Sequence, residues 1–228
     1  MQIAYISLVN LLDNLKMDFL NIIDETEAGF EKIAAELFNH YAIETANGTY
    51  RLTEIEFYWH SQSHPDKSTY ERKHVDPQAG EWFFHYSGVD IALKNNETGG
   101  YGGILIRGIY DIVNNKPYKG PMVCAMRLFS GSNAFTSYIK TQIVKHDFTA
   151  AGLKKTPRIN LGQNAVTSGT DKCNYRFYII PAGSSIPLES NPRSAFRLRY
   201  QTIFSEHSAF ALLQQDSYPV PGADTRAW

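Results

Sequence analysis

The chain reads Tyr50-Arg51-Leu52-Thr53-Glu54-Ile55-Glu56-Phe57-Tyr58-Trp59 in the stretch that decides its fold. Apolar and polar side chains alternate there with a period of two, which predicts a β-strand. One face carries Ile55, Phe57 and Trp59, and the other carries Glu54, Glu56 and Tyr58. The first face requires a hydrophobic core. The second holds two carboxylates and a phenol on a rigid element, which is either a solvated surface or a place to position a general base.

Length and composition allow one large globular domain or two small ones. The 228 residues are 43% hydrophobic and 20% charged, which is enough to bury a full core. No run of about 18 apolar residues is present, so we expect no membrane-spanning helix. The N-terminus lacks a basic region and a cleavage site, and Cys124 and Cys173 have no metal-ligand spacing. We therefore expect a cytoplasmic protein without a membrane partner.

Periodicity predicts helices at the start of the chain and strands in its middle. Helical spacing occurs at residues 7–22 and 24–40, and in the second of these Asp24 is the expected N-cap with Glu27 as its reciprocal partner. A short helix is expected around 121–129, because a proline suits the first helical turn. Strand-like runs lie at 50–59, 82–93, 102–113, 174–180 and 195–203. The glycine-rich segment Gly99–Gly103 is expected to be a hairpin turn.

These strands do not alternate regularly with helices, which favours an α+β fold. We predict a single domain with a curved, largely antiparallel sheet flanked by helices. The domain is expected to span residues 1–215, with a helical N-terminal extension at 1–32, and to be followed by an extended tail at 216–228.

The net charge of −1 hides an asymmetry along the chain. Residues 1–60 contain ten acidic residues and three Lys or Arg, whereas residues 136–200 contain ten Lys or Arg and three acidic residues. The basic segment predicts a phosphate-binding face. Its candidate contacts to a nucleic-acid backbone are Lys154, Lys155, Arg158 and Arg176. The alternative, held equal, is that these charges pair with the acidic N-terminal part.

Several short segments follow one another in a definite order. They are Ala35–Phe38 through Asn47-Gly48 to Tyr58, then Gly80–Tyr86, Gly103–Gly108, Gly120-Pro121, Thr156–Ile159 and Tyr175–Ile179. In this order they resemble the alkyladenine type of 3-methyladenine DNA glycosylase, with its catalytic E-x-Y strand, its aromatic strand and its hydrophobic strand that ends in an arginine. The resemblance spans about residues 33–200.

The resemblance implies hydrolysis of an N-glycosidic bond in base excision DNA repair, with water as the nucleophile and no cofactor. Glu56 matches the catalytic carboxylate, which activates water and stabilises the cation-like sugar. Arg107 matches the family arginine. It either pairs with Glu56 or another acid, or it orients the catalytic water. The family has a wedging tyrosine before the glycine that ends its aromatic strand, but here Ser87 precedes Gly88. This departure favours single-stranded or distorted DNA as the substrate.

Four side chains are candidates for holding a flipped purine. Tyr58, His85 and Tyr86 offer surfaces for base stacking, which is worth about 1–3 kcal/mol per base. His64 matches the family histidine that follows the E-x-Y strand. Packing within the protein explains the three stacking candidates equally well.

We predict a DNA N-glycosylase that releases a damaged or modified purine and uses no metal. The histidines His60, His64 and His74 lack a recognised zinc spacing. One alternative is a catalytically inactive nucleic-acid or nucleoside-binding protein of the same fold. Another is an interaction protein that docks through the acidic N-terminal helices.

Overall fold

The computed structural model describes residues 18–70, 76–131, 135 and 140–181. The strands are β1 Tyr41–Thr45, β2 Gly48–His60, β3 Trp82–His85, β4 Gly88–Asn95, β5 Gly100–Asp111, β6 Lys116–Lys119, β7 Gln142–Lys145, β8 Lys154–Thr156 and β9 Arg176–Tyr178. The helices are α1 Glu27–His40, α2 Pro121–Leu128 and α3 Gln163–Ser168, with short 3-10 helices at Asp18–Leu20 and Thr170–Lys172.

The described strands form one curled sheet, and this confirms the predicted α+β fold. Its main path runs β3-β4-β5-β2-β1-β7, while β6 pairs with β5 and β9 joins β2 to β8. Each of these pairs is antiparallel. Within the described ranges, no helix is both long and apolar enough to cross a membrane.

The chain divides by its internal contacts into residues 1–184 and 185–228, and the described residues belong to the first unit. Most of the predicted helix at 7–22, the predicted strand at 195–203 and the tail at 216–228 lie outside the described residues. The boundary at residue 215 therefore stays a prediction. The described end of the 7–22 segment is a 3-10 helix at Asp18–Leu20 instead of an α-helix.

Strand β2 is central, as its alternation predicts. Its apolar members Ile55, Phe57 and Trp59 are at most 1% exposed and belong to the hydrophobic core. Helix α1 covers this face, where the ring of Phe30 stacks on that of Phe57 with 4.9 Å between centroids. The opposite face of β2 carries Glu56 and Tyr58, and its contacts come from the remaining strands and loops.

The N-cap of helix α1 lies two residues after the predicted one. Thr26 is the N-cap, and its hydroxyl accepts a hydrogen bond from the N–H of Gly29 at 3.2 Å. Asp24 instead accepts from the N–H and the hydroxyl of Thr26. The prediction was wrong because both residue types cap helices and local spacing does not choose between them.

The predicted strand at 82–93 is a hairpin, in which β3 and β4 meet at Tyr86-Ser87. The predicted glycine-rich turn is also shorter than expected, because Gly100 and Gly102 belong to β5. A Cβ atom on Gly100 would lie 2.4 Å from the Trp59 ring, and one on Gly102 would lie 2.1 Å from the Tyr58 carbonyl oxygen. These glycines are therefore needed for close packing against β2, not for a turn.

Candidate active site

Glu56 is fully buried on β2, where three donors hold its carboxylate. Its Oε2 atom accepts from the Tyr58 hydroxyl at 2.9 Å and from Arg107 Nη1 at 3.3 Å. Its Oε1 atom accepts from the backbone N–H of Ile159 at 3.1 Å. A carboxylate has about four acceptor positions, so Oε1 keeps one that these three donors do not use.

This burial does not match the role that the resemblance implies for Glu56, because a carboxylate that activates water must be in contact with it. The side chain has no exposed surface, and the backbone N–H of Ile159 lies against Oε1. Water does not reach Oε1 in this conformation. The structure therefore brings Glu56, Tyr58 and Arg107 together, but it does not open the carboxylate to solvent.

Arg107 joins the two carboxylates of β2. Its Nε atom donates to Glu54 Oε1 at 3.1 Å, and its Nη1 atom donates to Glu56. Strand β5 places it there because Leu105 pairs with Glu56, and side chains two residues apart share a face. Its side chain is only 10% exposed. Arg107 thus pairs with acidic residues, as one of the two alternatives predicted. This pairing also fixes a positive charge beside the candidate base.

Glu54 is the second carboxylate of this network and makes structural ion pairs with two arginines. Its Oε1 atom accepts from Arg107 and also from Arg176 Nε at 2.9 Å. Together with Glu56, these side chains form a group of two carboxylates and two guanidiniums. Arg176 is thus occupied by an ion pair, although its side chain remains 23% exposed.

Tyr58 links this group to a second buried ion pair. Its hydroxyl donates to Glu56, and the guanidinium carbon of Arg158 lies 4.5 Å from its ring centroid. Burial raises the pKa of Tyr58, and the nearby Glu56 charge raises it further. The hydroxyl therefore stays a donor at neutral pH. Tyr58 is partly exposed, so it is the member of the pair with Glu56 that a ligand can contact.

Arg158 is a structural residue and not a surface contact. Its Nη1 atom donates to Asp66 Oδ2 at 2.7 Å and to the Phe57 carbonyl at 3.1 Å, and its Nη2 atom donates to Thr170 Oγ1 at 3.1 Å. Both charged side chains of the pair have 0% exposure. The predicted phosphate contact does not fit this position, because the guanidinium does not reach the surface. Instead it anchors the segment whose next residue, Ile159, holds Glu56.

His85 lies in a separate aromatic group on the same sheet. Its Nε2 atom is 3.0 Å from Asp90 Oδ1, and its ring centroid is 5.0 Å from that of Tyr70. Asp90 pairs with Leu105, which pairs with Glu56, so the two groups are two strand spacings apart, or about 10 Å. His85 does not share the immediate surroundings of Glu56.

Tyr86 and Tyr70 form the exposed part of this aromatic group. Tyr86 is 81% exposed at the β3–β4 turn, and its ring centroid lies 5.7 Å from that of Tyr70. Burial, followed by a hydrogen bond with Tyr86, raises the pKa of Tyr70 to about 12. Tyr70 therefore remains uncharged at neutral pH, and the two rings together offer a stacking surface.

His64 makes contacts within the core. Its Nδ1 atom lies 3.0 Å from the Trp59 carbonyl oxygen, and its Nε2 atom lies 2.7 Å from the Tyr175 hydroxyl. Its ring also packs edge-on against Phe30. Both ring nitrogens are therefore occupied, and the arrangement does not fit the predicted contact with a substrate base.

The lysines of β8 differ in their surroundings. Lys155 forms ion pairs with Glu27 at 2.9 Å and Glu31 at 2.7 Å on α1. This is the pairing of basic and acidic segments that the sequence left open. Lys154 is exposed and has no ion pair within the described ranges, so it remains a candidate contact to a phosphate.

Sequence reasoning missed Asp66 and Asp90. Asp90 had a usable signal, because a carboxylate within the apolar run Val89–Leu93 requires a buried partner. Asp66 lies in a loop and is 92 residues from Arg158 along the chain, so no local pattern reveals their pairing. Among the described residues, no group of three or more His, Cys, Asp or Glu side chains is arranged to hold a metal; His74 lies outside them.

No protein-family model matches the chain. An uncharacterized protein of Acanthamoeba polyphaga mimivirus is 29% identical over 123 residues, which cover 43% of this chain and 55% of that protein. The chain thus spans about half the length of the curated relative it matches.

Proposed function

We propose that the protein is a DNA N-glycosylase that hydrolyses the N-glycosidic bond of a damaged or modified purine, with Glu56 as the general base. The observation that supports this proposal is the arrangement of Glu56 on a central strand, with Arg107, Tyr58 and the Ile159 N–H holding its carboxylate. Water reaches the remaining acceptor position of Oε1 only in a conformation that exposes this atom, because Glu56 has no exposed surface here.

In this mechanism the bond between the sugar C1′ atom and the base breaks as water adds to C1′. Glu56 Oε1 accepts the proton of that water, and the proton then passes to the departing base. The negative charge of the carboxylate also stabilises the positive charge that develops on the sugar. Arg107 and Tyr58 fix the orientation of the carboxylate, because both donate to Oε2.

Single-stranded or distorted DNA is the proposed substrate. The exposed rings of Tyr70 and Tyr86 lie beside His85. The partner of His85, Asp90, is about two strand spacings from Glu56. At that separation they suit a neighbouring nucleotide of a single strand, whose bases are free to stack. Lys154 supplies an exposed positive charge for the backbone.

A second candidate function is binding without catalysis. It is favoured by the complete burial of Glu56 and by its ion pair with Arg107, which together resemble a structural acid. In this case the protein binds nucleic acid or a nucleoside through the partly exposed aromatic side chains, and Glu56 contributes to stability alone.

The test is a base-release screen with oligonucleotides that carry deaminated or alkylated purines, each in single- and double-stranded form. Release of a free base by the wild-type protein supports the glycosylase. Binding of these oligonucleotides without release from any of them supports the second candidate. Glu54→Gln serves as a matched variant, because it alters a carboxylate of the same network that has no proposed role as a base.

A further inference from the structure

Arg51 is a buried cation that has no carboxylate partner among the residues that the structure describes. It is 6% exposed, and within that part of the chain its guanidinium donates only to neutral oxygens: Nε to the Phe38 carbonyl at 3.0 Å, and Nη2 to the Thr149 carbonyl at 3.0 Å and to Asn39 Oδ1 at 3.4 Å. Burial lowers the pKa of Arg51, because it disfavours the charged form.

This position differs from those of the other buried arginines in the described part of the chain. Arg107 pairs with Glu54 and Glu56, and Arg158 pairs with Asp66. A buried charge is costly unless an opposite charge and hydrogen bonds compensate it. At Arg51 the hydrogen bonds and the Phe148 ring, 4.4 Å from its guanidinium carbon, supply only part of that compensation.

A cavity of about 300 Å³ lies beside this guanidinium. Its lining combines Arg51 with mainly apolar side chains and the backbone of an extended segment. The lining residues are Arg51, Tyr110, Ile112, Phe148, Thr149, Ala150, Ala151, Ile180 and Pro181. Its volume lies at the small end of the range for sites that bind small molecules. Arg51 is five positions before Glu56 on β2, or roughly 16 Å along the strand, so this is a separate site.

The Nη1 atom of Arg51 identifies the group that the cavity can bind. It has no hydrogen-bond partner among the described residues, whereas Nε and Nη2 are both occupied. Its two N–H groups suit one anionic oxygen. A carboxylate carries the single negative charge that would compensate the charge of Arg51. An apolar body would match the side chains that line the rest of the cavity.

We propose that this cavity binds a small organic carboxylate with an apolar body, held by an ion pair with Arg51. The proposal is independent of the glycosylase activity, since it uses none of the residues around Glu56. It assigns Arg51 as the recognition residue and Phe148 as the wall that orients its guanidinium.

The experiment measures the binding of benzoate to the full chain by isothermal titration calorimetry, with benzamide as a neutral molecule of nearly the same shape. We expect benzoate to bind about 10–100-fold more tightly than benzamide, because a hydrogen bond to a charged group contributes more than a neutral one. Equal affinities, or no binding of benzoate, would overturn the proposal.

Two variants test the location of the site. Arg51→Gln removes the charge but also alters the contacts to Phe38 and Thr149. Ala150→Phe therefore provides a second route, because Ala150 is an exposed lining residue whose enlargement fills the cavity and leaves Arg51 intact. Both changes are expected to abolish benzoate binding, whereas Lys116→Gln, outside the cavity, should leave it unchanged. Undiminished binding to Ala150→Phe would place benzoate elsewhere and refute the assignment.

Discussion

The buried ion pair between Asp66 and Arg158 is the structural support for the segment that holds Glu56. Asp66 accepts from Arg158 at 2.7 Å, from Thr170 Oγ1 at 3.0 Å and from the Ser68 N–H at 3.0 Å. Asp66→Ala removes these acceptors and leaves Arg158 buried without a counter-charge. The effect should reach the active site, because Ile159 follows Arg158 directly.

Breaking a buried pair by removing one partner typically costs about 3–5 kcal/mol in the free energy of unfolding. The cost at Asp66 should lie within this range, because both side chains have 0% exposure and the distance is short. For a chain of this size the loss corresponds to a decrease in Tm of roughly 6–20 °C. Arg158→Met removes the other charge and should have a comparable cost.

The two changes together should cost less than the sum of the single changes, because the double variant leaves no uncompensated charge. Urea denaturation followed by tryptophan fluorescence measures the four free energies of this cycle. Strict additivity of the two costs, or a loss of less than about 1 kcal/mol for Asp66→Ala, would refute the reasoning.

The same pair predicts a pH dependence. Burial alone raises the pKa of Asp66, but the charge of Arg158 and the hydrogen bonds from Arg158 and Ser68 outweigh it and keep the pKa below its ordinary value. A lowered folded-state pKa adds stability above the unfolded pKa, which is about 4 for Asp. This stability should be lost as the pH falls from about 4 through the lower folded-state pKa. Asp66→Ala should remove this contribution to the loss of stability in acid. Acid unfolding of the variant with the same pH dependence as the wild-type protein would contradict the prediction.

Three further predictions concern the sheet, the first described helix and the charged surface. Gly102→Ala should cost about 1–3 kcal/mol of unfolding free energy, because its Cβ would lie 2.1 Å from the Tyr58 carbonyl oxygen; an unchanged urea midpoint would show that the strands can separate freely. Thr26→Ala should cost about 1 kcal/mol, since the hydrogen bond to Gly29 is lost, and no shift in urea would contradict its capping role. Lys154→Glu should weaken binding to single-stranded DNA and reduce the slope of log binding constant against log salt concentration by about 0.7. An unchanged slope would mean that Lys154 is a solvated residue without a phosphate contact.

Periodicity predicted the strand β2 and its core face well. The alternation at Ile55, Phe57 and Trp59 depends only on local spacing, and the structure buries all three. The sequence also offered a pairing of Arg107 with Glu56 as one of two alternatives, and the structure joins them by a 3.3 Å ion pair. These features could be predicted from the sequence, because the order of the strands and the alternation of their side chains are visible in contiguous segments.

The residues that cover the polar face of β2 could not be predicted in this way. Glu56 becomes buried through Ile159, which is 103 residues distant along the chain. Arg158 was predicted as a surface cation because charge composition does not reveal that a distant carboxylate, Asp66, neutralises it. The sequence left open whether Lys155 pairs with the acidic N-terminal part. Local spacing does not decide this, since the contact depends on how β8 packs against α1.

The central claim is that Glu56 is a general base. The most direct measurement compares single-turnover base release by the wild-type protein and by Glu56→Gln, together with the affinity of each for the same oligonucleotide. Glutamine keeps the size of the side chain but neither accepts the proton nor carries the charge. The proposed mechanism therefore predicts a loss in rate of about 10²–10⁴-fold or more with nearly unchanged binding. Base release by Glu56→Gln at the wild-type rate, or binding without any release by the wild-type protein, would contradict it.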